Sequence, residues 1–443
     1  AYDFVVVGGG VAGICAAVTA ARQGLKTALV HDRPVLGGNN SSEVRVHLGA
    51  YANLPPYPRL GDVLAEIAPA EGGNAQPAAV YEDERKLAVV KAEKNLDLFL
   101  NTRVNGVEKA ADGAIASVTG VDTATGVRTV FAAPLFADTT GDGTVGFLAG
   151  ADWRMGREGR DVHGEPWAPE TGDRMTMGAS VQWRAATNDV TVAFPSEPWM
   201  LPFDARTAQP GLRGDWDWET GLRRDQITEA ERIRDYGLLV VYSNWSYLKN
   251  GFSKKADYAT AALEWVAYVA GRRESRRLLG DFILTENHLM SRDVQPDGTC
   301  AATWTIDQHF PKEASVTGFA GEAFQADSHN HVIWPYPIPY RCFYSRNVPN
   351  LFMAGRDISV THVALGTTRL MRTHGMMGEV VGMAAAVCRD RACRPRDVYA
   401  RHFGALQAKM EKGAGDGKVH PIQTYNVQKS LDPDIRSKVR QLR

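Results

Sequence analysis

The hydrophobic pattern of the chain begins with an uncharged run at residues 4–21, FVVVGGGVAGICAAVTAA, which contains four glycines. Roughly 20 apolar residues are needed to cross a bilayer, so the length is marginal and the internal pattern decides. YDFVVVG is continuous and β-branched, as in a parallel strand buried on both faces. GGGVAG predicts a turn, VAGICAAVTAARQG a small-residue helix ending near Gly24, and KTALVHD a second buried strand. Together they form one βαβ unit in about 30 residues.

Downstream, YANLPPYPRLGD is polar and proline-rich, and helical patterns follow at 62–69 and 79–95. DLFLNTRVNGVEKA predicts a strand, and two β-rich runs separated by TATG predict a hairpin. From 151 to about 345 the pattern changes. The tryptophans fall in this stretch, in loops such as GDWDWETG and EPWMLPF that suit a substrate-shaping domain. A long helix is expected near 227–250, and another beginning within YATAALEWVAYVAGRRESRRLLG. Near 346 the α/β pattern returns. NVPNLFMAGRDIS reads as a strand entering a turn. LGTTRLMRTHGMMGEVVGMAAAVC reads as a helix with Gly375, Gly378, Gly382 and Ala385 spaced for close packing. Residues 396–443 read as helical and then polar.

The bulk numbers narrow the function. At 443 residues two or three domains are expected. Fifty Lys and Arg against 51 Asp and Glu leave a net charge of −1, so no global field favours nucleic acid or an anionic membrane. The four arginines within Arg272–Arg277, interleaved with Glu274, predict a salt-bridged helix face. Cys15, Cys300, Cys342, Cys388 and Cys393 are odd in number and form no CxxC, which argues against a disulfide framework or a zinc site; no metal is expected. No serine-nucleophile elbow, HExxH or P-loop occurs. A first residue of Ala1 fits a processed N-terminus, and the expectation is a cytoplasmic or periplasmic protein without a membrane span.

The chemistry starts at Gly8-x-Gly10-x-x-Gly13, directly between a strand and a helix. Gly8 allows the tight turn, Gly10 lets backbone approach a pyrophosphate, and Gly13 lets helix and strand pack closely. With Val11 and Ala12, the helix N-terminus offers free N–H groups and partial positive charge to phosphates. Such units often end the second strand with an acid that bonds the ribose. Here His31 occupies that place with Asp32 next to it, and either could make the contact; Arg33, which follows, is a further cofactor-binding candidate.

Four blocks agree: VVVGGGVAG, LGGNNSSEVR, FADTTGDGTVGFLAGA and NLFMAGRDISVTHVALGTTRLMRTHGMMGEVVGMAAA. Together they resemble the FAD-dependent oxidoreductase family of two-dinucleotide-binding-domain flavoproteins, whose bacterial members often accompany carbohydrate-degrading enzymes. The resemblance implies FAD as cofactor, with Gly37, Gly38 and Asn39 approaching the diphosphate and flavin. It implies backbone at Val104 offered to the adenine, and Gly141 and Asp142 ending the return strand. Gly355, Arg356 and Asp357 would approach the flavin and ribityl chain. The N-terminus of the following helix, beginning within Thr367–Met371, would face the pyrimidine ring of the flavin. The fold implied is α/β: a discontinuous, three-layer Rossmann-like FAD-binding domain with a central parallel sheet and a β-meander. Its parts are 1–150 and 346–395, flanking an α+β substrate domain at 151–345, with a helical tail at 396–443.

Flavin carries the hydride, while the protein supplies orientation, a proton acceptor and exclusion of water. An alcohol oxidation needs a base at the substrate hydroxyl, and histidine suits neutral pH. Asp307-x-His309 places two side chains on one face of an extended segment. His362 precedes the flavin-facing helix, and Arg341 could clamp an anionic or hydroxyl-rich substrate. His374 reads as a helix-face residue. The expected activity is hydride transfer between a hydroxylated, sugar-like or polyol substrate and flavin N5. The alternatives are a reductase of an activated C=C bond with an Arg as proton donor, a flavin-assisted oxidation–elimination glycosidase, and a flavin-binding protein without turnover.

Overall fold

The computed structural model describes residues 1–214, 216, 218–315 and 322–423. The opening run folds into strand β1 (Phe4–Val7), helix α1 (Val11–Arg22) and strand β2 (Thr27–Val30). All eight strand residues are buried, because the parallel sheet is covered on both faces, by α1 on one and by the antiparallel strands of 102–132 on the other. β3 (Leu96–Phe99) extends the sheet beside β2. β4 (Thr102–Lys109), β5 (Ile115–Asp122) and β6 (Arg128–Ala132) form the antiparallel meander. The chain then returns as β7 (Leu135–Asp138) beside β1, with Phe4 opposite Leu135. DLFLNTRVNGVEKA is therefore two strands rather than one, broken where Asn101 takes a left-handed conformation (φ 52°).

After β7 the chain leaves this sheet for some two hundred residues. It builds a second apolar cluster around Trp183, Trp218 and Trp245. Helix α2 (Ala230–Asn250) packs there with the antiparallel pair β8 (Trp183–Thr187) and β9 (Ala261–Val266). β9 overturns the second expected helix. The ALEWV stretch pairs with β8 and offers its alternate residues to the tryptophan cluster, so tertiary pairing wins over the helical reading. The arginine-rich segment that follows is extended as well. Its side chains are salt-bridged as expected, but to several different partners rather than along one helix face. Asp215 and Asp217 of GDWDWETG lie outside the described residues.

A hairpin of β10 (Ile306–Pro311) and β11 (Ala326–His331) follows. β12 (Leu351–Met353) then rejoins the first sheet beside β7, giving the order β12-β7-β1-β2-β3, all parallel. The dinucleotide-type sheet is thus closed by the two ends of the chain, as the resemblance implied. α3 (His362–Thr368) and α4 (Met371–Arg391) are separate helices, because Leu370 takes an extended conformation between them. α4 lies against α1 with its small residues inward: a Cβ on Gly378 would stand 2.1 Å from the Ala12 carbonyl oxygen, and one on Gly382 2.6 Å from that of Ala16. α5 (Pro395–Lys412) begins the tail, whose last 20 residues, 424–443, lie outside the described residues. Among the described residues no helix is long and apolar enough to cross a membrane.

Candidate active site

A cavity of about 1020 Å³ opens where β1 and β2 end. Gly8, Gly10, Val11, Ala12, Gly37, Gly38 and Asn39 form one wall. Gly8 has φ +110°, and a Cβ there would meet the Thr139 carbonyl oxygen at 2.4 Å. A Cβ on Gly13 would fall 1.7 Å from the Gly8 carbonyl oxygen, so Gly13 serves packing and does not line the cavity. Gly10 is different: a Cβ there would meet nothing within 4 Å and would project into open space. Backbone bared to a cavity at the N-terminus of a twelve-residue helix is a fit for a diphosphate.

The structure separates the three candidates at the end of β2. Nδ1 of His31 accepts from the Gly9 N–H (3.0 Å) and its Nε2 donates to the Val35 carbonyl (3.1 Å). Both ring nitrogens are spent on the loop, and burial holds the ring's pKa below its usual value. The ring is neutral, so its 3.6 Å approach to Asp32 is no ion pair. Arg33 is taken up by Glu43 at 2.5 Å. Asp32, its side chain half exposed and lining the cavity, has the chemistry to accept from a ribose hydroxyl.

Val104, Gly141, Asp142, Gly355, Arg356 and Met371 line the same cavity. Arg356 is a brace. Its Nε donates to the Gly141 carbonyl (2.8 Å), Nη1 to that of Arg272 (2.9 Å) and Nη2 to Asp142 (3.0 Å). Burial works against the Asp142 carboxylate, but Arg272 and Arg356 prevail and hold its pKa below the ordinary value. Asp357 does not reach the cavity. It is fully buried against Asp138, accepts from the Gly143 N–H, and burial together with the Asp138 charge pushes its carboxyl well up, so it keeps its proton.

On the opposite wall, alternation along β10 puts Asp307 and His309 on one face toward the cavity. His309 Nδ1 is bonded to Glu219, which also pairs with Arg273 at 3.1 Å. His309 Nε2 lies 3.1 Å from Asp307 and 2.9 Å from Arg369 Nη2, and Arg369 donates to Asp307 at 2.6 Å. The order Arg273–Glu219–His309–Asp307–Arg369 alternates in sign along a buried row. Burial disfavours a charged ring, but Glu219 and Asp307 outweigh it, so the pKa of His309 is raised. A charged ring donates from Nε2 to Asp307, and a neutral ring accepts there from Arg369. Both protonation states have a partner in place. Asp307 Oδ1 and Arg369 Nε are buried without partners among the described residues, leaving one acceptor and one donor.

The other two catalytic candidates lie elsewhere. His362 is buried behind the cavity, its Nδ1 on Glu274 at 2.9 Å. Arg341 is clamped by Asp297 at 2.8 and 2.9 Å and stacked on Phe282 and Tyr399, away from the cavity. Glu219 and Arg369, central here, stand in no sequence motif that singles them out. Glu219 sits in a tryptophan-rich loop without a motif. Arg369 lies two residues before α4, and a charge at that spot is the available signal. His374, read as a helix-face residue, lines the cavity.

No curated protein matches the chain. Solved structures that the chain matches include Thermovibrio ammonificans THI4 (19% identity over 35% of this chain and 64% of that one, under two thirds of its length; TM-score 0.27). Others are the myxobacterial chondrochloren halogenase CndH (12% identity, 92% and 79% of the two chains, TM-score 0.40) and the OxyS anhydrotetracycline hydroxylase of Streptomyces rimosus (15%, 93% and 66%, TM-score 0.41). The family model described as FAD dependent oxidoreductase matches residues 3–410, nearly the whole chain. The glycine-bared cradle, the Asp32 carboxylate and the sheet closed by both chain ends suit the same cofactor, and the chain belongs to the FAD dependent oxidoreductase family.

Proposed function

We propose that this enzyme moves a hydride between a hydroxylated, sugar-like or polyol substrate and FAD, with His309 as the proton acceptor. FAD would be held by the Gly8–Gly13 turn, Asp32, the Gly37–Asn39 loop, backbone near Val104 and Gly141, and the segments at Gly355–Arg356 and Met371. When bound, the flavin supplies the hydride acceptor at N5. Residues 1–150 and 346–395 would form the FAD domain and 151–345 the substrate domain.

The observation that carries the reading is His309 Nε2 on the cavity wall with partners for both protonation states. A base that must gain and lose a proton works best where neither state is stranded. An alcohol hydroxyl is both donor and acceptor, matching the carboxylate of Asp307 and the guanidinium of Arg369, which both line the cavity. Asp307 and Arg369 would orient the hydroxyl, and His309 would take its proton while carbon gives up hydride. In the reverse direction the protonated ring would return it. Arg369 beside Asp307 also favours a second reading, in which Arg369 protonates a substrate carbon during reduction of an activated C=C bond.

Anaerobic mixing of the yellow holoenzyme with sugars, alditols, glycosides and small acids tests this. Bleaching by sugars or alditols is expected, slowed by about 100-fold in His309→Gln, the usual scale of a lost general base. No bleaching by any alcohol, with reoxidation of the dithionite-reduced enzyme by an enoate, would reject the first reading for the second.

A further inference from the structure

The first turn of α4 carries a buried cation that nothing in the described chain neutralises. Arg372 is 4% exposed. Its Nη1 donates to the Leu48 carbonyl at 3.2 Å, its Nε has no partner, and among the described residues no carboxylate stands within ion-pair distance. Other buried arginines are provided for. Arg277 lies between Glu158 and Glu274, Arg273 pairs with Glu219, and Arg45 lies over the Trp265 ring and donates to two carbonyls. Burial alone pushes the Arg372 guanidinium down to about 10, with no acid opposing it. A lone buried charge is costly to a fold, and an apolar side chain of similar length would serve folding better. The position therefore calls for a negative charge brought from outside the chain.

The helix pairing says where that charge arrives. Gly378 packs on Ala12 and Gly382 on Ala16, so α4 and α1 run in the same direction. α1 begins one residue before Ala12 and α4 seven before Gly378. The start of α4 thus lies six residues beyond the start of α1, about 9 Å at 1.5 Å per residue. The diphosphate belongs at the N-terminus of α1, so the first turn of α4 stands further along, where Leu370, Met371 and His374 line the cavity and Arg372 stands behind that lining. A hydride brings two electrons and one proton, and the ring gains one negative charge unless a second proton follows. We infer that Arg372 is the counter-charge for the reduced flavin ring, favouring hydride acceptance by the bound cofactor through its field.

This inference rests on the cavity holding FAD with its ring at the α4 end. Titrating FAD into the flavin-stripped wild-type full chain tests that basis separately: no binding would sink the cofactor assignment rather than the role of Arg372. With binding established, the midpoint potential is measured by dye equilibration for wild type, Arg372→Met and Arg372→Lys. The Met variant should lose at least about tenfold in its preference for reduced over oxidised FAD, about 30 mV for a two-electron couple. The Lys variant should recover most of it. The melting temperature of the Met apoprotein should equal or exceed that of wild type. An unchanged potential overturns the inference. So does weaker binding of oxidised FAD with the potential unchanged, which would give the counter-charge to the diphosphate. A Met variant that melts lower or does not fold also overturns it, since the charge would then be supporting the fold.

Discussion

Replacing Gly10 by alanine should separate cofactor binding from folding. The backbone at Gly10 is extended (φ −69°), a conformation any L-residue adopts, and the added Cβ meets no protein atom within 4 Å. Alanine is a poorer N-cap than glycine but stiffens the unfolded chain, and the two effects nearly cancel, leaving a stability change within about 0.5 kcal/mol. The methyl does stand where a diphosphate must approach the backbone. Losing one amide–phosphate hydrogen bond costs about 2 kcal/mol, roughly thirtyfold in FAD affinity. Gly13→Ala is the contrast. Its Cβ would sit 1.7 Å from the Gly8 carbonyl oxygen and 2.6 Å from Thr139 Oγ1, so the strand–helix junction must move, at about 3 kcal/mol or more. The assay pairs thermal melting of the flavin-stripped proteins with FAD titration followed by fluorescence. If Gly10→Ala binds FAD as wild type does, or melts as low as Gly13→Ala, the cradle is misassigned.

Two further outcomes follow from the buried charges. Because the pKa of His309 is raised, alcohol oxidation should increase as pH climbs through that raised value; Glu219→Gln removes the anion on Nδ1 and should move the rise to lower pH by roughly one unit, read from kcat/KM profiles. An unmoved limb would mean that another group is titrating. Asp357 keeps its proton in the fold while an unfolded Asp loses it near pH 4, so the native state binds more protons and stability falls as pH rises from about 4 through the raised pKa. Asp357→Asn should flatten that fall in urea unfolding at several pH values, and an unchanged slope would refute the retained proton.

Local patterns decided much of this protein. The glycine spacing, the β-branched runs and the small-residue stripe from Gly375 to Gly382 act over a few residues, through backbone space and side-chain alternation, and they recur in the structure as turn, strands and close helix packing. Alternation likewise brought Asp307 and His309 together on one face. What the sequence could not decide was partnership across the chain. ALEWV has helix-compatible residues and became a strand only because β8 was there to pair with it. His31, His362 and Arg341 are plausible site residues until Gly9, Glu274 and Asp297 are seen to occupy them. Glu219 and Arg369 acquire meaning only when residues 90 and 60 positions away from His309 close on its ring. Propensity and spacing are local, so one strand of text carries them. Charge pairing and burial depend on which distant segments meet, and only the folded chain settles that.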